Sequence, residues 1–118
     1  MDAIDTNRLE QDSFESRSRA STAAAAEAFA RLLQLAEQRD SGQIARVVRF
    51  IAALYNGQAF PLDLFELRAV DLAISDDMLC CIDALRWARA DLHSLVPDGD
   101  SRVRLVIDRW GLQWPENG

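Results

Sequence analysis

The chain has 118 residues, 49% of them hydrophobic, and a formal net charge of −6; its 13 basic residues are all arginine and it contains no lysine. That length suits one domain whose core needs neither metal nor disulfide, and the missing lysine excludes Schiff-base, phosphate-loop and kinase-type lysine chemistry. The negative charge argues against direct binding of nucleic acid through its phosphates. No apolar run approaches the ~20 residues of a membrane span, and the first 20 residues lack the apolar segment of a signal peptide, so the expectation is a cytoplasmic protein without membrane contact.

Residues 1–20 are rich in acids, arginines and serines, with Ile4, Leu9 and Phe14 as the main apolar anchors. Such a composition buries little, which predicts a mobile or partly helical arm ahead of a single helical domain over 21–118. Ser21 or Thr22 is a candidate cap for a helix from about Ala23 to Arg39, with Phe29, Leu32, Leu33 and Ala36 as its apolar stripe. Asp40, Ser41 and Gly42 break it. A second helix follows, with Ile44, Val47, Val48, Ile51, Leu54 and Tyr55 on one stripe, Arg46 and Arg49 on its far face, and a stop at Asn56-Gly57.

Phe60, Pro61 and Leu62 read as an extended link, and Asp63 with Glu66 as an acidic capping box opening a short helix to about Val70. Ser75 to Leu95 reads as one long central helix capped by Ser75, with Met78, Ile82, Leu85, Ala88, Leu92, Leu95 and Val96 on its main apolar stripe. Cys80, Ala84 and Trp87 form a second stripe, which predicts a second packing partner for Trp87 or, alternatively, an anchor for another protein. Pro97 to Asp100 end this helix. Ser101 then caps a last helix carrying Val103, Val106, Ile107 and Trp110, Gly111 stops it, and the tail of Leu112, Trp114 and Pro115 folds back on the core. No run alternates as a half-buried strand does, so the expected architecture is all-α, a compact bundle of four to five helices with no sheet.

The candidate chemistry is sparse. His93 with adjacent Cys80 and Cys81 cannot enclose a metal, because neighbouring helical side chains diverge by about 100°. Asp76 and Asp77 diverge likewise and do not form a facing acid and base pair. No nucleophile, metal or cofactor motif is present, so no catalytic residue, cofactor or metal is expected and the chain reads as non-enzymatic. The charge, however, is concentrated: Asp63, Glu66, Asp71, Asp76, Asp77 and Asp83 stand against Arg68 alone, placing −5 between residues 63 and 83. Asp63, Glu66, Asp71, Asp76, Asp77 and Trp87 are therefore the candidate partner-binding residues.

Gly42, Gln43, Arg46, Asn56, Asp63, Leu64, Val70, Asp71, Ile74, Asp76, Asp77 and Met78 carry a further signal. Together they resemble an uncharacterised family of small helical bacterial proteins often carried on conjugative plasmids and integrated mobile elements. Leu54-Tyr55 and Phe65-Glu66-Leu67 depart from the more tryptophan-rich pattern of that family. The resemblance implies a genomic setting and no assigned activity. The expected function is an interaction or regulatory module whose partner is another protein or a second copy. The alternative is an acidic inhibitor that blocks the basic groove of a nucleic-acid-binding host protein, as an antidefence protein such as an anti-CRISPR would.

Overall fold

One helix sets the length of the molecule. In the computed structural model, which describes residues 3–116, α1 spans Ala3–Gln38, and its 36 residues at about 1.5 Å each run most of the 58 Å long axis. Met1, Asp2, Asn117 and Gly118 lie outside the described residues, as does the side chain of Ile4. The segment expected as an arm is, from Ala3 onward, the first half of this helix. Ser21 and Thr22 are therefore not caps: Ser21 Oγ donates to Asp83 Oδ2 at 2.7 Å, and Thr22 Oγ1 donates back to the Ser18 carbonyl at 2.8 Å. Satisfied in this way, two residues that favour helix starts sit inside a continuous helix.

The buried stripe of α1 is Ala25, Ala28, Phe29, Leu32, Leu33 and Ala36, the periodicity expected of a core-facing helix. α2 (Gly42–Tyr55) packs against it through Ile44, Val47, Val48, Phe50, Ile51 and Ala52, and ends at Asn56 as its sequence predicts. A 3₁₀ turn, Leu64–Arg68, follows in place of the expected short α-helix. Asp63 does cap it, accepting from the Phe65 N–H at 2.9 Å. Glu66 does not complete a capping box, because its carboxylate turns to α2 and receives Arg46 and Arg49 at 3.1 to 3.2 Å.

The central helix is shorter and differently turned than its spacing predicts. α3 spans Leu72–Leu85, begins at Asp71 in the capping position, and leaves Ser75 inside its first turn, where Ser75 Oγ donates to the Leu72 carbonyl. Beyond Leu85 the Trp87 and Ala88 amides reach back three residues instead of four, and Ala88 takes a left-handed conformation with φ 54°. Such tightening closes a helix. Leu92–Leu95 forms a second 3₁₀ turn that buries Leu92, with Val96 buried just beyond it, so helical spacing persists across a break that periodicity alone does not reveal. The face of α3 that enters the core is Ile74, Met78, Cys81 and Ala84, whereas Leu85 is 50% exposed and Ile82 only half-buried.

α4 (Gly99–Arg109) starts one turn earlier than a Ser101 cap would place it, after Asp98 in a left-handed conformation. Val103, Val106 and Ile107 are buried as expected. Gly111, at φ 73°, stops the helix: the Leu112 amide reaches the Ile107 carbonyl and the Gly111 amide that of Asp108, a Schellman closure. The tail folds back, with Trp114 edge-on to Phe60 at 4.8 Å and to Tyr55 at 6.3 Å. Four helices, two 3₁₀ turns and, among the described residues, no strand make the fold an all-α bundle.

α4 also locks the carboxyl end of α1. Arg102 forks onto Glu37 with bonds of 2.9 and 2.7 Å, while Arg109 and the Trp110 indole N–H donate to the Ala36 and Glu37 carbonyls. A cation supplying donors to terminal carbonyls is favourable both as hydrogen bonding and against the helix dipole.

Two tests follow from this arrangement. A Cβ on Gly99 would lie 1.7 Å from the His93 carbonyl oxygen. Gly99→Ala should therefore destabilise the protein by more than ~1 kcal/mol despite the better helix propensity of alanine. A stabilised variant in urea unfolding would contradict the packing. Arg102, chiefly through its hydrogen bonds, holds the Glu37 carboxyl below its ordinary value of 4.5. The stability from this pair is thus present above about pH 4.5 and is lost as pH falls through the depressed folded-state value. Glu37→Gln should lower the melting temperature at neutral pH and flatten its acid dependence below pH 4.5; an unchanged pH profile would contradict the coupling.

Candidate protein-binding surface

The acidic segment folds so that most of its carboxylates are met by the rest of the chain. Asp77 receives an Arg31 fork from α1, Nε to Oδ2 at 3.1 Å and Nη2 to Oδ1 at 2.9 Å. Glu66 is 8% exposed and bound by both Arg46 and Arg49. Asp83 is paired with Arg86 and accepts from Ser21, whose hydrogen bond is the largest influence holding its carboxyl low. Asp71 accepts from Gln43 Nε2 at 3.1 Å, and its own amide donates to Gln43 Oε1.

Asp63, Asp71 and Asp76 remain exposed, and Asp76 makes no ion pair or side-chain hydrogen bond among the described residues. The same segment carries large apolar side chains that stand out into solvent. Leu72 is 77% exposed, Leu64 71%, Phe65 62% and Leu79 53%. On α3 the spacing explains this. Leu72, Asp76 and Leu79 are four and three residues apart and share one stripe, turned away from Ile74, Met78 and Cys81. The 3₁₀ turn carrying Leu64 and Phe65 leads into α3 and is held to α2 through Glu66, with Arg68 over the Phe65 ring at 4.5 Å. The exposed stripe was legible as a seven-residue leucine spacing, but choosing which face of α3 is buried required the fold.

The sixth candidate, Trp87, belongs to a different place. It follows the carboxyl end of α3, while Asp71 and Asp76 lie at its amino end and Asp63 caps the turn before it. Its second partner is the first half of α1: Phe14 meets it edge-on at 5.0 Å, and Arg86 and Arg17 lie over it at 4.5 and 5.4 Å. Arg89 ties the same junction, bonding Glu15 at 3.1 Å and Ser18. Trp87 is half-buried, and its enclosed indole N–H makes no hydrogen bond of good geometry, although it lies near enough to the Asp83 carboxylate to help hold that group low.

The cysteines fit a packing role. Cys81 is buried, its Sγ 3.9 Å from the Ala25 carbonyl, and burial pushes its thiol up to about 12; the half-buried Cys80 thiol is also raised, first by desolvation. Thiols held in this way are poor nucleophiles at neutral pH. His93 packs edge-on to Tyr55 at 4.9 Å instead of ending a long helix. Among the described residues no three His, Cys, Asp or Glu side chains converge as a metal site, and no helix is long and apolar enough to cross a membrane.

A model of a family of unknown function, DUF7673, matches residues 26–111. The chain belongs to the DUF7673 family. No curated protein and no solved structure matches it. The DUF7673 region takes in both faces of α3 and the 3₁₀ turn before it. It leaves out Phe14, Arg17, Ser18 and Ser21, the α1 residues that contact Trp87, Arg89 and Asp83.

The enclosed indole N–H yields a direct test. Trp87→Phe keeps an aromatic ring against Phe14 and removes a donor that makes no well-formed bond to a carboxylate already held by Ser21 and Arg86, so its stability should fall within ~0.5 kcal/mol of wild type or above it. A loss beyond ~1.5 kcal/mol in urea unfolding would mean that the N–H is satisfied in solution.

Proposed function

We propose that this DUF7673 protein is a non-enzymatic interaction module, a regulatory or accessory protein of a bacterial mobile element that acts in the cytoplasm by binding another protein. The observation that carries this reading is the outer face of α3 with its preceding turn. Leu64, Phe65, Leu72 and Leu79 stand more than half exposed beside Asp63, Asp71 and Asp76. An exposed apolar stripe on one helix, bordered by charge, is a usual mark of a protein-binding surface. The mobile-element setting rests on the resemblance carried by residues 42–78, and genes for DNA transfer or integration beside this one are its expected context.

The reading as an acidic inhibitor of a basic groove has less support. Carboxylates that imitate a phosphate row must face outward, and Glu66 and Asp77 are spent on Arg46, Arg49 and Arg31. What is left outward is as apolar as it is acidic.

Photo-cross-linking in the native host tests the proposal. A benzophenone side chain placed at Leu72 or Leu79 should yield a covalent adduct with a second polypeptide. The same group at Leu105, which is 67% exposed on α4, should not. Equal adducts at all three positions, or none at the α3 positions, would contradict a binding surface on this face.

A further inference from the structure

We infer that the partner which fits the outer face of α3 is a basic amphipathic helix, one with an apolar stripe flanked by arginine or lysine; this rests on the interaction reading above. The shape argues for a helix. Leu72 and Leu79 lie two turns apart, about 10 Å along a straight, convex surface, and Asp76 sits between them. Side chains so spaced enter the rows between the i, i+3 and i+4 positions of a helix laid alongside.

The charge argues for a basic one. Asp76 is unpaired among the described residues, Asp71 is held by a neutral glutamine, and Asp63 is occupied by a backbone amide. Asp71 and Asp76 therefore lie on either side of Leu72 along the chain, and Asp63 caps the turn before them, without a guanidinium of this chain bound to any of the three. The nearby Arg68 stacks on Phe65. The contrast with Glu66, Asp77 and Asp83, each paired with arginine, is the second observation. Arginine or lysine flanking the partner's stripe would supply the missing charge-assisted bonds.

The same carboxylates disfavour the other occupants. A second copy docking by a two-fold axis on this stripe would bring Asp76 towards its own counterpart, since such an interface repeats each residue on both sides. Phosphate backbones and anionic lipid surfaces would meet like charge.

The full chain can be titrated with two synthetic peptide helices that share a leucine stripe, one flanked by arginines and one by glutamates, and followed by fluorescence anisotropy. The arginine peptide should bind at least ~10-fold more tightly, and more so as salt is lowered. Combining Leu72→Ser with Leu79→Ser should weaken it at least ~10-fold. Asp76→Asn should weaken it several-fold, and Leu105→Ser should leave it unchanged. Equal binding of both peptides would overturn the inference, as would binding indifferent to the two leucines. A dimer in sedimentation that the double leucine variant dissociates would assign the face to a second copy and overturn it as well. Because the cross-linking reports any partner, an adduct at Leu79 with no preference for the arginine peptide would remove the basic helix alone. Absence of that adduct would remove the interaction reading itself.

Discussion

Every helix of this protein leans on one stripe of α1, and the stripe's mixture of small and large side chains decides how closely each can approach. Phe29, Leu32 and Leu33 supply bulk, while Ala25, Ala28 and Ala36 leave room for neighbouring backbone and for the Cys81 sulfur. Close-packed interiors tolerate little change of volume. Enlarging any of these alanines would push α3 or α4 away, and with them the residues each presents to solvent. The geometry of the outer surface is therefore set from inside, by α1.

Arginine does the second part of the work. A chain without lysine must pair its acids with guanidinium groups, and these meet a carboxylate as a planar fork that fixes direction as well as distance. Arg31 to Asp77 ties α1 to α3, Arg102 to Glu37 ties α4 to α1, and Arg46 with Arg49 holds the 3₁₀ turn to α2 through Glu66. Most of these arginines keep part of their surface in water, so their contribution lies more in orientation than in large stability. Pairing of this extent also sorts the acidic segment. Glu66, Asp77 and Asp83 are held by arginine, whereas Asp71 and Asp76, before and after Leu72 in the chain, are not.

What could be read from the sequence tracks how local the deciding physics is. The stripe of α2, its stop at Asn56 and the closure at Gly111 rest on spacing and backbone conformation within a few residues, and they stand where the sequence puts them. α3 is shorter than its spacing predicts because Leu85, Leu92 and Leu95 keep helical spacing through a break made by the left-handed Ala88, a residue with no sequence signature for that conformation. With the helix too long, its buried face was set from the wrong leucines. Leu85 and Leu95 turned out partly exposed, and Cys81 took a core position. The first half of α1 was illegible for another reason. Its composition buries little, and its order is tied to contacts distant in sequence, Phe14 with Trp87 and Glu15 with Arg89. Of the candidate surface, the acids were legible from charge alone. Their division into paired and unpaired, and the leucines beside them, needed the fold.

On the proposed function α3 is a helix with two unequal faces, the inner one committed to α1 and the core, the outer one open to a partner. Unfolding in urea distinguishes the faces without knowledge of that partner. Leu72→Ser combined with Leu79→Ser removes two leucines from the outer face and should leave stability within about 0.5 kcal/mol of wild type. Met78→Ser, one side chain from the inner face, should cost several kcal/mol, because it both opens a cavity and buries a hydroxyl. A loss of ~2 kcal/mol or more in the outer-face variant would mean that those leucines serve the fold, and would contradict the division on which the functional reading stands.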